Sequence, residues 1–340
     1  EIQLKGDVFH TMFDSEKQAQ FNEIYAERKK VRLAGIITGF PLLAAIILSA
    51  VMSPVILLIL KSVRLNNSDA AALLSDPAFL QAVNSVCSVI LFLIPFLIAV
   101  KLSGQRISTL IPFEKPKGNV LGFILLGIGF CGFANISVSY GGALFDSLGF
   151  PSYNYPSSEN AAGIFGFLLT VISTAVIPPL TEEFAFRGAV LGELKKHGEG
   201  FALITSSVLF GLMHRNFIQI FFAFLVGLIL GFIRIKTGSI WVSIAVHALN
   251  NFLAVICDYL TDILPKSGAM LIYPITNIIY MLLGITGLLY VSKAEGFFKL
   301  EGGEEKALTT KKVYSLFFTT VPIILFCAGC LIEAVLYFFV

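Results

Sequence analysis

Apolar residues fall along this chain in long blocks rather than in alternation. Nine segments dominated by them lie at approximately 33–60, 80–100, 119–144, 162–194, 200–214, 217–234, 239–260, 269–292 and 313–340. A helix needs about 20 consecutive apolar residues to cross the hydrocarbon of a bilayer. The pattern therefore predicts an all-α fold, a polytopic transmembrane helix bundle of about nine spans with no sheet. The fifth and sixth segments are short and nearly continuous, so the boundary between them is the least defined.

The polar stretches divide these blocks into four regions. Residues 1–32 form a cytoplasmic N-terminal segment that ends in Arg28-Lys29-Lys30-Val31-Arg32. It lacks the order of a secretory signal, a short basic stretch followed by an apolar one. Phe13, Phe21, Ile24 and Tyr25 would give it one weak apolar face, as in a helix lying at the membrane surface. Residues 33–118 hold two accessory spans, 119–260 a core with buried polar residues, and 261–340 two C-terminal spans. The loop from Phe145 to Ala161 contains neither Lys nor Arg and suits an outer-face connection. Gly35/Gly39 and Gly227/Gly231 match G-x-x-x-G, which lets helices approach closely; packing within the chain is the expected use.

Composition supports a membrane solvent. Of 340 residues 56% are hydrophobic and 14% charged, with a mean hydropathy of +0.84. A soluble domain would carry about 25% charged residues. The net charge of +2 argues against a nucleic-acid partner. With the N-terminus cytoplasmic, twenty of the 24 Lys and Arg fall in inside segments, and only Lys61, Arg64, Arg215 and Lys266 fall outside. That asymmetry follows the positive-inside rule and sets the N-inside topology, with the C-terminus outside. Five cysteines lie within apolar segments and suggest no disulfide framework. Cys327 and Cys330 form a C-x-x-C, read as small packing residues on a lipid-spanning helix.

Against this background three clusters stand out. Glu182, Glu183 and Arg187 follow the apolar run 162–180, His214 closes one later segment, and His247 and Asn251 lie in another. A charge at the centre of a membrane helix costs roughly 2.5–3.5 kcal/mol on insertion scales, so such groups are functional candidates by default. At 1.5 Å per residue from the predicted inner ends, Glu182 and His214 lie about 20 Å deep, His247 about 12 Å and Asn251 about 18 Å. Three helices thus bring polar groups to similar depth. Pro178-Pro179, directly before the acids, must kink the helix or start a new one, because neither has an N–H.

Glu183 and Arg187 stand four apart with the acid first, the favourable order for an ion pair on one helix face. This leaves Glu182 without a local countercharge in apolar surroundings, the setting of a general base. Glu182 and His214 would orient a water that attacks a peptide carbonyl. His247 and Asn251, four apart and on one helix face, would donate to the oxyanion, with Asn250 the weaker candidate. Loss of one such donor typically costs about 3–4 kcal/mol.

The motifs Glu182-Glu183-Phe-Ala-Phe-Arg187, Phe210-Gly-Leu-Met-His214 and His247-Ala-Leu-Asn-Asn251 stand in order, with steps of 32 and 33 residues from Glu182 to His214 and from His214 to His247. In them the chain resembles the CAAX-protease and bacteriocin-processing (CPBP, or Abi) family, which includes the type II CAAX prenyl endopeptidases. That family's pattern is E-E-x-x-x-R, F-x-x-x-H and H-x-x-x-N or its Asp variant. The resemblance covers roughly residues 120–260. It implies an all-helical membrane endopeptidase whose substrates are membrane-associated peptides or proteins, prenylated C-termini and bacteriocin precursors among them. By the same resemblance, the first glutamate and first histidine activate water while the later histidine and asparagine hold the oxyanion. The expectation is no metal. Zn2+ on Glu182, His214 and His247 is the alternative, weakened because no H-E-x-x-H occurs.

Other readings compete with these. Glu183/Arg187 can be a structural ion pair and His214 a core histidine with its bonds satisfied. Asp258 and Asp262 read as a solvated helix end, and no G-x-S-x-G supports a serine nucleophile. From a different functional class, the cluster would serve a proton-coupled transporter or a non-catalytic immunity or scaffold protein.

Overall fold

The computed structural model describes residues 2–62, 67–104, 106–149, 163–293, 297–304 and 307–336. Eleven helices organise these residues: α1 Ile2–Ser62, α2 Asn67–Ser75, α3 Pro77–Leu102, α4 Val120–Ser147, α5 Gly163–His197, α6 Glu199–Leu212, α7 Phe217–Thr237, α8 Ile240–Ile263, α9 Lys266–Val291, α10 Thr310–Phe318 and α11 Val321–Leu336. Among the described residues there is no strand, and the one isolated bridge joins Gly198 to Gly302. A single helical turn, Ile107–Leu110, precedes α4.

Among the described residues seven helices are long and apolar enough to cross a membrane. The pair α10 and α11, bent by 73°, makes an eighth if taken as one span. The segment expected at 200–214 is the fourteen-residue α6, about 21 Å long against about 30 Å of hydrocarbon. It pairs with α7 as a hairpin. Residues 1–32 do not form a separate surface helix: from Ile2 onward they are continuous with the first span. Phe21 and Tyr25 are exposed and Ile24 is half-buried, while the side chain of Phe13 lies outside the described residues. Most of the expected outer loop, 150–161, also lies outside them.

Two apolar clusters form the interior. One gathers α1, α3, α5, α6, α10 and α11 around Phe96, Phe186, Phe210 and Phe317; the other gathers α4, α7, α8 and α9 around Cys131, Ile233, Val246 and Tyr280. Small residues set the distances between helices. A Cβ on Gly129 would lie 2.1 Å from the Gly284 Cα, so α4 and α9 meet backbone to backbone. Both G-x-x-x-G pairs are spent inside the chain: Gly35 and Gly39 face Thr320 and Pro322, and Gly227 and Gly231 face Ser207 and Leu203. The five cysteines are free. Arg187 and Arg234, counted above with the inside connections, are both buried side chains.

Polar straps fix the end of the bundle where α8 starts. Ile240 N–H donates to Pro112 O at 3.0 Å, Ser239 Oγ to Glu114 O at 2.7 Å, Trp241 Nε1 to Phe113 O at 3.0 Å and Lys117 N–H to Thr237 O at 2.8 Å. Gly238, at φ 65°, ends α7 in the left-handed conformation that glycine adopts without strain. Ser239 then caps α8 through the Trp241 amide. The register of α8, and with it the height of His247, is set by these bonds.

Candidate active site

α5 carries the acids, and it is not a regular helix. Its turns at Val171–Val176 and Phe184–Val190 are π-helical, and the stretch between them, Ile177–Glu183, holds Pro178 and Pro179. Such widened turns are common at functional sites. The physical cause of the first lies in the two prolines. An α-helix would pair Thr174 O with the N–H of residue 178 and a π turn with that of 179, and neither residue has one. The Ile177 amide donates back to Ile172 O. The Thr174 carbonyl is instead satisfied from another helix, by Asn251 Nδ2 at 2.9 Å.

Immediately after the prolines the two acids part company. Glu183 is fully buried, and its Oε1 lies 3.0 Å from Arg187 NH1 and 3.0 Å from His247 Nδ1. Because a carboxylate accepts, His247 Nδ1–H is the donor, and its Nε2 is left to face the second acid, with Glu182 Oε2 at 4.0 Å. The Glu182 side chain is 16% exposed, the Glu183 side chain not at all. The imidazole of His247 therefore bridges one sealed carboxylate and one accessible one.

His214 arrives from the end of α6. Its Nδ1 donates to Phe210 O at 2.9 Å, which leaves Nε2 as the free ring nitrogen. Glu182 and His247 both lie close enough for their charges to bear on it. Phe210 is the hub of this arrangement. The Arg187 guanidinium sits 4.2 Å above its ring centroid, and the rings of His214 and His247 lie edge-on to it at 5.0 and 6.2 Å. In the sequence Phe210 is marked only by its spacing, four residues before His214, which does not indicate this role. Cys131, from the second apolar cluster, lies within electrostatic range of Glu183 and Arg187, so the polar group sits between the two clusters.

Asn251 stands apart from this group. One of its amide protons is held by Thr174 O, and its Oδ1 accepts from Asn250 Nδ2 at 3.2 Å. Its second amide proton is the group left for the role expected of it. Asn250, expected as the weaker partner, is buried and orients its neighbour. Among the described residues Glu183 Oε2, Arg187 NH2 and Asn250 Oδ1 are buried without a hydrogen-bond partner. Among the described residues no group of three His, Cys, Asp or Glu is gathered closely enough to hold a metal ion. An apolar cavity of about 280 Å³ adjoins the acid-bearing turn, lined by Leu93, Leu180, Thr181, Phe184, Trp241 and Ile244 among others.

Comparison with known proteins points the same way as the motifs. Residues 164–253 match the family model described as type II CAAX prenyl endopeptidase Rce1-like. All six residues of the predicted site lie in that segment. A protein of Bacillus subtilis (strain 168) named "Putative membrane peptidase YdiL" is 32% identical over 104 residues, 29% of this chain. The chain spans 43% of that relative's length. No solved structure matches. The resemblance read from the three motifs is thus found again by comparisons that use the surrounding sequence.

Proposed function

We propose that this chain is a membrane-embedded endopeptidase of the Rce1-like kind, which hydrolyses peptide bonds of membrane-associated peptides or proteins. The observation that carries the reading is His247 held between Glu183 and Glu182 inside the segment that matches the family. A structural ion pair needs only Glu183 and Arg187. It does not call for a second, accessible acid on the far side of the imidazole.

In this reading Glu182 is the base. It takes a proton from a water that His214 Nε2 also orients, and the oxygen attacks the scissile carbonyl. His247, held in orientation by Glu183, and the remaining amide proton of Asn251 stabilise the developing oxyanion. A donor preset in a dry site is worth far more than one in water. Glu183 and Arg187 act through His247, as the buried acid of a catalytic triad orients its histidine. The return of the proton from Glu182 to the leaving amine completes the cycle, and no metal takes part. The apolar cavity beside Leu180 and Phe184 would receive an aliphatic part of the substrate, a prenyl group or an apolar side chain.

The test is cleavage by the purified full chain in lipid nanodiscs, read by mass spectrometry. The probes are internally quenched peptides with and without a farnesylated C-terminal Cys-a-a-X. The wild type should cut at defined bonds, and Glu182→Gln should not. Equal cleavage by both proteins overturns the reading. pH-dependent solute uptake in proteoliposomes without any peptide turnover would assign the cluster to a transporter instead.

A further inference from the structure

Arg215 directly follows His214 and is, among the described residues, the one non-glycine residue with positive φ, at 55°. This conformation crowds an L side chain, and at the end of a helix glycine is the residue that adopts it freely. The position closes α6: the His214 amide donates to Gly211 O at 3.0 Å and the Arg215 amide to Leu212 O at 3.1 Å. Asn216 then opens α7, its Oδ1 accepting the amides of Ile218 and Gln219. The backbone needs no arginine here. The side chain explains the choice.

Arg215 NH1 donates to Ser49 Oγ on α1 at 3.0 Å and to Glu333 Oε2 on α11 at 3.0 Å. Ser49 gives its own proton to Ile46 O at 2.8 Å, which fixes its oxygen as an acceptor. Both partner helices lie outside the segment 164–253. The countercharge of Arg215 thus comes from α11, so the turn that closes α6 is tied to a helix far along the chain.

We propose that Arg215 is a positioning residue, and that its ties to Glu333 and Ser49 clamp the α6–α7 turn to the flanking helices so that His214 Nε2 faces Glu182. The proposal rests on the hydrolytic reading above and gives α1 and α11 a task in it. Misplacing a reacting group by about 1 Å can cost on the order of 100-fold in rate. Loosening the clamp should therefore lower turnover rather than substrate binding.

The experiment uses the full chain in nanodiscs and the farnesylated quenched peptide. Arg215→Gly, which relieves the backbone while deleting the ties, should lower kcat about tenfold or more with KM near that of the wild type. Glu333→Gln should lie between the two. The charge-reversed pair Arg215→Glu with Glu333→Arg should be faster than either single reversal. Wild-type kcat in Arg215→Gly, or a reversed pair no faster than its slower single variant, overturns the proposal. Amide hydrogen exchange at residues 211–216 gives a second readout that needs no turnover: it should quicken in Glu333→Gln and return in the reversed pair, and unchanged exchange also overturns the clamp. Should the wild type cleave nothing, the endopeptidase reading fails alone and exchange decides the clamp.

Discussion

Two helices of this bundle are equally suited to lipid by composition and differ in almost every other respect. α9 runs unbroken from Lys266 to Val291 in spite of Pro274, and Leu271, Ile278, Leu282 and Leu289 on it are exposed. α5 is broken by two π turns and a proline pair and carries Glu182, Glu183 and Arg187. On the exposed face of α9 the solvent is lipid, and any apolar side chain serves there. In α5 three polar groups are met from another helix: Glu183 by His247, Arg187 by the Phe210 ring and the Thr174 carbonyl by Asn251. The contrast teaches that apolar content sets where a helix lies, while the partners of its polar atoms set what it can do.

Substitutions break or sharpen this contrast to different degrees. The largest effect should come from Glu182→Gln, which keeps the shape and removes the base: peptide hydrolysis should fall about 10²- to 10⁴-fold, with the melting temperature of the purified protein nearly unchanged. Next is Glu183→Gln, which leaves Arg187 as an uncompensated buried charge and should destabilise the fold by about 3–5 kcal/mol. Glu183→Leu combined with Arg187→Met should recover most of that stability in thermal unfolding but none of the activity.

Asn251→Ala should cost about 1–3 kcal/mol through the unsatisfied Thr174 carbonyl. Restoring an N–H with Pro178→Ala in the same chain should return part of it, a coupling measurable by a double-mutant cycle on stability. At the small end, Leu282→Ala on the exposed face of α9 should change stability by no more than about 0.5 kcal/mol and leave turnover alone. A large loss there would mean that the face meets protein rather than lipid.

Much of this was legible in the linear chain. Blocks of about 20 apolar residues gave the helices, and acid-first spacing at i, i+4 gave the Glu183–Arg187 pair. The proline pair announced a disturbance in α5. What stayed hidden depends on three-dimensional neighbours. Hydropathy does not register the 73° bend between α10 and α11, because the residues on both sides are apolar. It cannot say that α6 stops short, since α7 continues the apolar run after three residues. Helical spacing placed His247 and Asn251 on one face, but it could not reveal that His247 reaches Glu183 or that Asn251 is claimed by a carbonyl eight residues before Glu182. Nor did charge counting separate Arg187 and Arg234, buried in the protein, from the lysines of true loops.

Two adjacent residues that lend no amide proton leave α5 without its own backbone rungs at one level, just N-terminal to the acids. The half of the rod before the prolines can then swing about that point with few internal bonds to break, restrained by a side-chain amide on α8 and by Gln81 of α3, which donates to Thr170 Oγ1 at 2.9 Å. A substrate that presses on that half would meet a soft pivot instead of a stiff column. Because Asn251 grips that pivot and His247 rides on the same helix, any such swing is transmitted to both acids at once.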